Sequence, residues 1–226
     1  MISALSLDSM SYTWFVILSC SIFVPAVIGG VRILKVDSAF HPFIICLWIG
    51  AINELISIYF SQSGNSTHVN NNIYVIIEAI LLIWQLKRWG AFDRFHRLYF
   101  MLILIFISGW LLENYFLASI HATEPWFRLG YSFIIVLLAI QVVNHLIISE
   151  RRSLIRNPIF LVTMGCIIYF TYKGLVEVFW INGFNTSPGF LINVYSIMIW
   201  INLLVNIIFS FAVLWMPEKL RFTMTY

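Results

Sequence analysis

Apolar residues in this chain run in long blocks separated by short polar breaks, without the two-residue alternation of a half-buried strand. Most blocks approach the roughly 20 residues that an α-helix needs to cross the hydrocarbon of a bilayer. They predict seven helices: Tyr12 to Val31, Ala39 to Phe60, Asn71 to Leu86, Leu98 to Leu117, Leu129 to Ser149, Pro158 to Trp180 and Gly189 to Met216. The first block follows Asp8 with no basic segment before it and no small-residue cleavage pattern after it, so it reads as a spanning helix and not as a removable leader.

Composition excludes a water-soluble fold. Of 226 residues, 61% are hydrophobic and 10% charged, against roughly 45–50% apolar in soluble domains. The expected fold is an all-α membrane domain over residues 1–226, multi-pass in the cell membrane and embedded in the lipid bilayer. The net charge of +3 is spread over short loops, which argues against a nucleic-acid partner and reports topology instead. If all seven blocks span, Arg32, Lys35, Lys87, Arg88, Arg94, Arg97, Arg151, Arg152, Arg156, Lys219 and Arg221 share one side, eleven of the thirteen basic residues. Arg128 falls in an opposite-side loop and Lys173 inside a helix. The positive-inside rule then puts the N-terminus outside and the C-terminus in the cytoplasm. Trp89 and Trp215 at inner ends, with Trp126 and Trp180 at outer ends, suit interfacial anchors. Cys20, Cys46 and Cys166 lie inside apolar blocks, where they act as small hydrophobes.

Laying helices 1 to 3 on helices 5 to 7 exposes a weak repeat, 12–86 on 129–216, joined by a linker helix 98–117. His41-Pro42 meets Asn157-Pro158, Asn72-Ile73-Tyr74 meets Asn193-Val194-Tyr195, and Gln85 meets Asn206. In that arrangement the chain resembles the three-plus-one-plus-three SWEET and PQ-loop transporters and, more distantly, the seven-helix opsins and receptors. The resemblance covers the whole chain as architecture only. The Pro-Gln pair is missing and helix 7 has no lysine to hold retinal, so no family residue is carried over.

Ionisable residues inside a membrane are costly and mark functional positions by default. Here they are Glu54, Glu78, Glu113, Lys173 and Glu177. At 1.5 Å per residue, Glu54, Glu78 and Lys173 lie about 9–11 Å below the predicted outer ends. Glu113 and Glu177 are shallower, where hydration would suffice. Four helices carry polar or small stripes at helical spacing: Gly50, Glu54, Ser57 and Ser61; Tyr74, Glu78 and Gln85; Cys166, Tyr169, Lys173 and Glu177; Tyr195, Asn202 and Asn206. These predict a polar pocket among helices 2, 3, 6 and 7, opening outward, with Lys173 paired to Glu54 or Glu78. The ligand-binding or coupling set is therefore Glu54, Glu78, Lys173, Glu177, Tyr74, Tyr195, Asn202 and Asn206. A buried pair that only fixes which helices are neighbours is the competing account. Gln141, Asn144 and His145 extend polarity inward on helix 5, as a path or as interhelical glue.

Catalytic motifs are missing: there is no His-x-x-x-His pair, no Gly-x-Ser-x-Gly elbow and no phosphate-binding glycine loop. No metal or cofactor is expected, and an enzyme acting on lipid is a minor reading. The leading expectation is a small carrier of a polar or cationic solute, with proton coupling as a variant. A seven-helix receptor that signals through a protein partner on the basic loops is the alternative, and a structural subunit of a membrane complex the third.

Overall fold

The computed structural model describes residue 14 and residues 16–93, 95–117, 119–122, 125–149, 154–181 and 188–219. Among these the chain is helical, with an isolated bridge between Val36 and Glu218. Seven apolar helices follow one another: α1 Val16–Arg32, α2 His41–Gln62, α3 His68–Arg88, α4 His96–Leu111, α5 Pro125–Ser149, α6 Pro158–Ile181 and α7 Pro188–Trp215. Six are long and apolar enough to cross a membrane, and α1 is a shorter apolar helix that includes a 3-10 turn at Cys20–Ile22. The architecture is that of a multi-pass membrane protein. The start predicted for α1 lies outside the described residues.

Polar end-turns lengthen two of the predicted helices. The third begins at His68, not Asn71, because Asn70 and Asn71 spend their amides on α2: Asn70 Nδ2 donates to Asn53 Oδ1 at 2.8 Å, and Ser57 Oγ donates to Asn71 Oδ1 at 3.3 Å. The fifth begins at Pro125, not Leu129, since proline suits a first turn and the orphan N–H groups of that turn find a carboxylate. Arg128, expected in a loop, is therefore in the first turns of α5. After α4 the chain continues as a π-helical turn, Leu112–Leu117. Gly90 reverses the chain after α3 at φ 85°, a conformation glycine adopts without penalty.

Six helices close a ring: α1 packs on α2, α2 on α3, α3 on α5, α5 on α6, α6 on α7, and α7 on α1. α4 packs on α3 and α5 from outside that ring. Beyond its first turn its exposed residues are nearly all large and apolar, among them Phe100, Met101, Leu104, Ile105 and Leu111. On α2, Trp48, Ile52, Leu55 and Tyr59 form a similar outward stripe at helical spacing. Surfaces of this extent belong against lipid and not against water.

The end that gathers Arg32, Lys35, Lys87, Arg88 and Arg156 is tied across the ring. Arg32 Nη1 donates to the carbonyls of Val213 (2.6 Å) and Leu214, and Nη2 to that of Met216 at 3.1 Å. One guanidinium thus satisfies the last carbonyls of α7 and joins α1 to it. At the same end Gln85 clamps the start of α2, accepting from Phe43 N at 2.8 Å and donating to the Ala39 carbonyl at 2.7 Å. Gln141 on α5 donates to the Ala91 carbonyl at 3.0 Å.

Candidate functional site

Glu78 lies at the midpoint of α3, about 15 Å from either end at 1.5 Å per residue, deeper than the shorter predicted helix implied. Its neighbours on α3 face the ring, and the residue is 5% exposed. Three donors converge on its carboxylate. Tyr74, one turn earlier on α3, donates to Oε1 at 2.8 Å. Tyr131 of α5 donates to Oε2 at 2.6 Å, and Lys173 Nζ of α6 meets the same oxygen at 2.9 Å. Lys173 and Tyr131 are also hydrogen-bonded to each other. The ammonium lies 5.1–5.4 Å from the ring centroids of Tyr131, Tyr169 and Phe170, within range of attraction to their faces.

Of the two partners open to Lys173 in the sequence, the structure joins it to Glu78. Glu54 on α2 is half-buried and hydrogen-bonded to Ser19 of α1 instead. Glu177 is one turn beyond Lys173 on α6, with Oε1 3.7 Å from Arg128 Nη1. Arg128 Nη2 donates to Asn72 Oδ1 at 2.9 Å. Asn72 is fully buried and acts as a hub: Nδ2 donates to the carbonyls of Ile120 and Ala122, and its own carbonyl accepts from Trp110 Nε1 at 2.9 Å.

Hydration does not account for Glu113 and Glu177, which are 4% and 5% exposed. Glu113 caps α5, accepting from Trp126 N at 3.1 Å and Phe127 N at 2.6 Å; a carboxylate at a helix N-terminus also meets the positive end of its dipole. Glu177 takes the Arg128 cation. The apparent excess of carboxylate over lysine thus has local partners: backbone N–H groups for Glu113, Arg128 for Glu177 and Ser19 for Glu54.

A cavity of about 60 Å³ lies at the centre of the ring, lined by α1, α2, α3, α6 and α7. Tyr74, Glu78, Tyr169, Phe170, Asn202 and Asn206 contribute to its wall, together with Cys46 and Cys166. Helices 2, 3, 6 and 7, picked out by their polar stripes, therefore do share one space. Asn206 Nδ2 donates to Ser21 Oγ at 2.8 Å and to Asn202 Oδ1 at 3.3 Å, tying α7 to α1 beside it. Gly50 makes room for the Tyr74 hydroxyl, which is 3.3 Å from where a Cβ would stand. The side chain of Tyr195 lies outside what the structure describes.

Sequence reasoning missed Tyr131, Arg128 and Asn72 as members of this network. Tyr131 and Arg128 are three residues apart and share a face of α5, a signal that a helix beginning at Leu129 does not contain. In the sequence Asn72 stands out only as a repeat marker. Among the described residues no group of His, Cys, Asp or Glu is placed to hold a metal ion. No protein-family model, curated protein or solved structure matches this chain.

Proposed function

We propose that this protein is a small carrier with seven spanning helices, N-terminus outside and C-terminus cytoplasmic, that moves a small polar or cationic solute through the cavity between two three-helix halves. α1 to α3 form one half, α5 to α7 the other, and α4 links them. The observation that carries this reading is the origin of the central network: Tyr74 and Glu78 come from one half, Tyr131 and Lys173 from the other. A pair spanning the seam beside a cavity must break or re-form when the halves move against each other. Moving halves of this kind are how repeat-built carriers alternate access.

The order of packing supports the same division. Each half runs first helix on second and second on third, and each third helix then meets the first helix of the other half. That is the neighbour pattern of two parallel units related by an axis along the membrane normal. Glu78 gives proton coupling a place to act, since a proton and a solute cation are alternative ways to neutralise one buried carboxylate.

Reconstituted vesicles test the reading. Uptake of small amines and neutral polar solutes is followed with and without a pH gradient, alongside labelling of Cys46 and Cys166 by membrane-impermeant thiol reagents from each side. A carrier labels from both sides, at rates that the transported solute changes, and Glu78→Gln abolishes uptake. Absence of flux for every solute, with labelling from one side only, overturns it.

A further inference from the structure

Among the described residues Glu78 is the one charged group in the wall of the central cavity; Lys173 and Tyr131, which hold its carboxylate, are not part of that wall. The remaining wall near it is aromatic, with Tyr74, Tyr169 and Phe170 beside the carboxylate. A carboxylate among ring faces is the chemistry that receives an organic cation. Lys173 itself illustrates the fit, since its ammonium already lies near the Tyr169 and Phe170 rings. Size narrows the class. The cavity of about 60 Å³ is under half of the roughly 150 Å³ that admits benzene, so the occupant has only a few non-hydrogen atoms.

One carboxylate cannot neutralise two cations in a medium of low dielectric. A cation entering at Glu78 therefore needs Lys173 to find another partner, and α6 supplies one. Glu177 is four residues further along the same face, within reach of a lysine stem. It is 5% exposed, and its Oε2 has no hydrogen-bond partner among the described residues. Its other oxygen meets Arg128 at 3.7 Å, longer than a hydrogen bond. The carboxylate is buried, charged and under-used, which is expensive unless a second state employs it.

We propose that the cavity binds a small alkylammonium ion at Glu78 and that Lys173 then moves one helical turn, from Glu78 to Oε2 of Glu177. The proposal deepens the carrier reading and rests on it for the use of the site, but binding itself needs no flux. Lys173 is a tethered ammonium that fills the cation site when no solute is present. Its exchange between two carboxylates is a two-position element that ligand binding biases.

The test is equilibrium binding of methylammonium chloride to the full chain in lipid nanodiscs, with potassium chloride at equal ionic strength as the control. Methylammonium binds and potassium does not. Glu177→Gln, which keeps the shape of the side chain and removes the second seat, weakens methylammonium binding about tenfold, a typical coupling between linked sites. Lys173→Met removes the competing cation and tightens binding by a similar factor. Unchanged affinity in Glu177→Gln, weakened affinity in Lys173→Met, or no methylammonium binding by the unaltered chain each overturns the proposal. If one variant fails to fold, the other carries the test. Binding with this pattern but without uptake sinks the carrier reading and leaves the inference standing; uptake of another solute without ammonium binding does the reverse.

Discussion

Removing one partner of the Glu78–Lys173 pair should cost about as much as removing both. The side chains are 6% and 12% exposed, so solvent screening relieves little of the charge left behind. Breaking a buried pair from one side costs about 3–5 kcal/mol. Lys173→Met falls at the lower end, about 3 kcal/mol, because Tyr74 and Tyr131 still donate to the carboxylate and such charge-assisted bonds are each worth about 1.5–3 kcal/mol. Glu78→Gln also costs about 3 kcal/mol, leaving an ammonium held by one phenol and three ring faces. The double variant buries no unpaired charge and should lose about 3 kcal/mol in all, so the coupling is about 3 kcal/mol, the upper part of the range for contacting residues. Reversible unfolding in mixed micelles, followed by tryptophan fluorescence, measures all four proteins. A double variant that loses about 6 kcal/mol, the sum of the singles to within about 0.5 kcal/mol, would refute the pairing.

Other positions give independent checks. Gly165→Ala places a Cβ against the Phe209 ring, which lines the cavity; overpacking costs about 1–3 kcal/mol, and the displaced ring should slow thiol labelling of Cys166 next to it. Glu113→Ala removes both acceptors at the start of α5 and should destabilise by about 1–2 kcal/mol, with amide exchange at Trp126 and Phe127 rising first. Arg32→Lys keeps the charge but cannot fork to three carbonyls; a loss of about 1–2 kcal/mol and faster exchange between α1 and α7 is the expected result, and an unchanged unfolding midpoint would remove the clasp from the account.

The apolar blocks made the helices legible because lipid permits little else: a long apolar run must satisfy its backbone internally, and a helix does so. What the blocks could not mark were end-turns made of polar residues. His68 to Asn70 and Pro125 to Arg128 read as loop by composition, yet they are helix because Asn53, Ser57 and Glu113 supply their partners from elsewhere in the chain. Helix-face spacing correctly put Tyr74, Glu78, Asn202 and Asn206 on one space. It could not choose between Glu54 and Glu78 as the partner of Lys173, since their predicted depths are nearly equal and the choice depends on Ser19 meeting Glu54 and Tyr131 meeting Glu78. Tyr131 was invisible for a different reason: a tyrosine in an apolar helix looks like filler until its hydroxyl has a carboxylate to meet.

The buried charges also constrain how a carrier of this design can work. From the centre of the ring toward the end of α5, Glu78, Lys173, Glu177 and Arg128 alternate in sign and sum to zero. A cation added at Glu78 leaves one positive charge in excess, wherever Lys173 goes. If Lys173 takes Oε2 of Glu177, that carboxylate is shared with Arg128 on Oε1, and the excess falls at Arg128, in the first turns of α5 and the most exposed of the four, where it is cheapest to solvate. If Lys173 instead surrenders its proton, neutrality is restored on the spot and the solute is exchanged for a proton. The two routes differ in what drives them. Passing the charge along the ladder makes uptake electrogenic, so methylammonium flux into vesicles should rise with an inside-negative potential, by up to tenfold for each 59 mV if a whole charge crosses, since moving one charge is worth about 2.3 kcal/mol per 100 mV. Flux that follows the pH gradient and ignores the potential would put the balance on the Lys173 proton and remove Glu177 from the cycle.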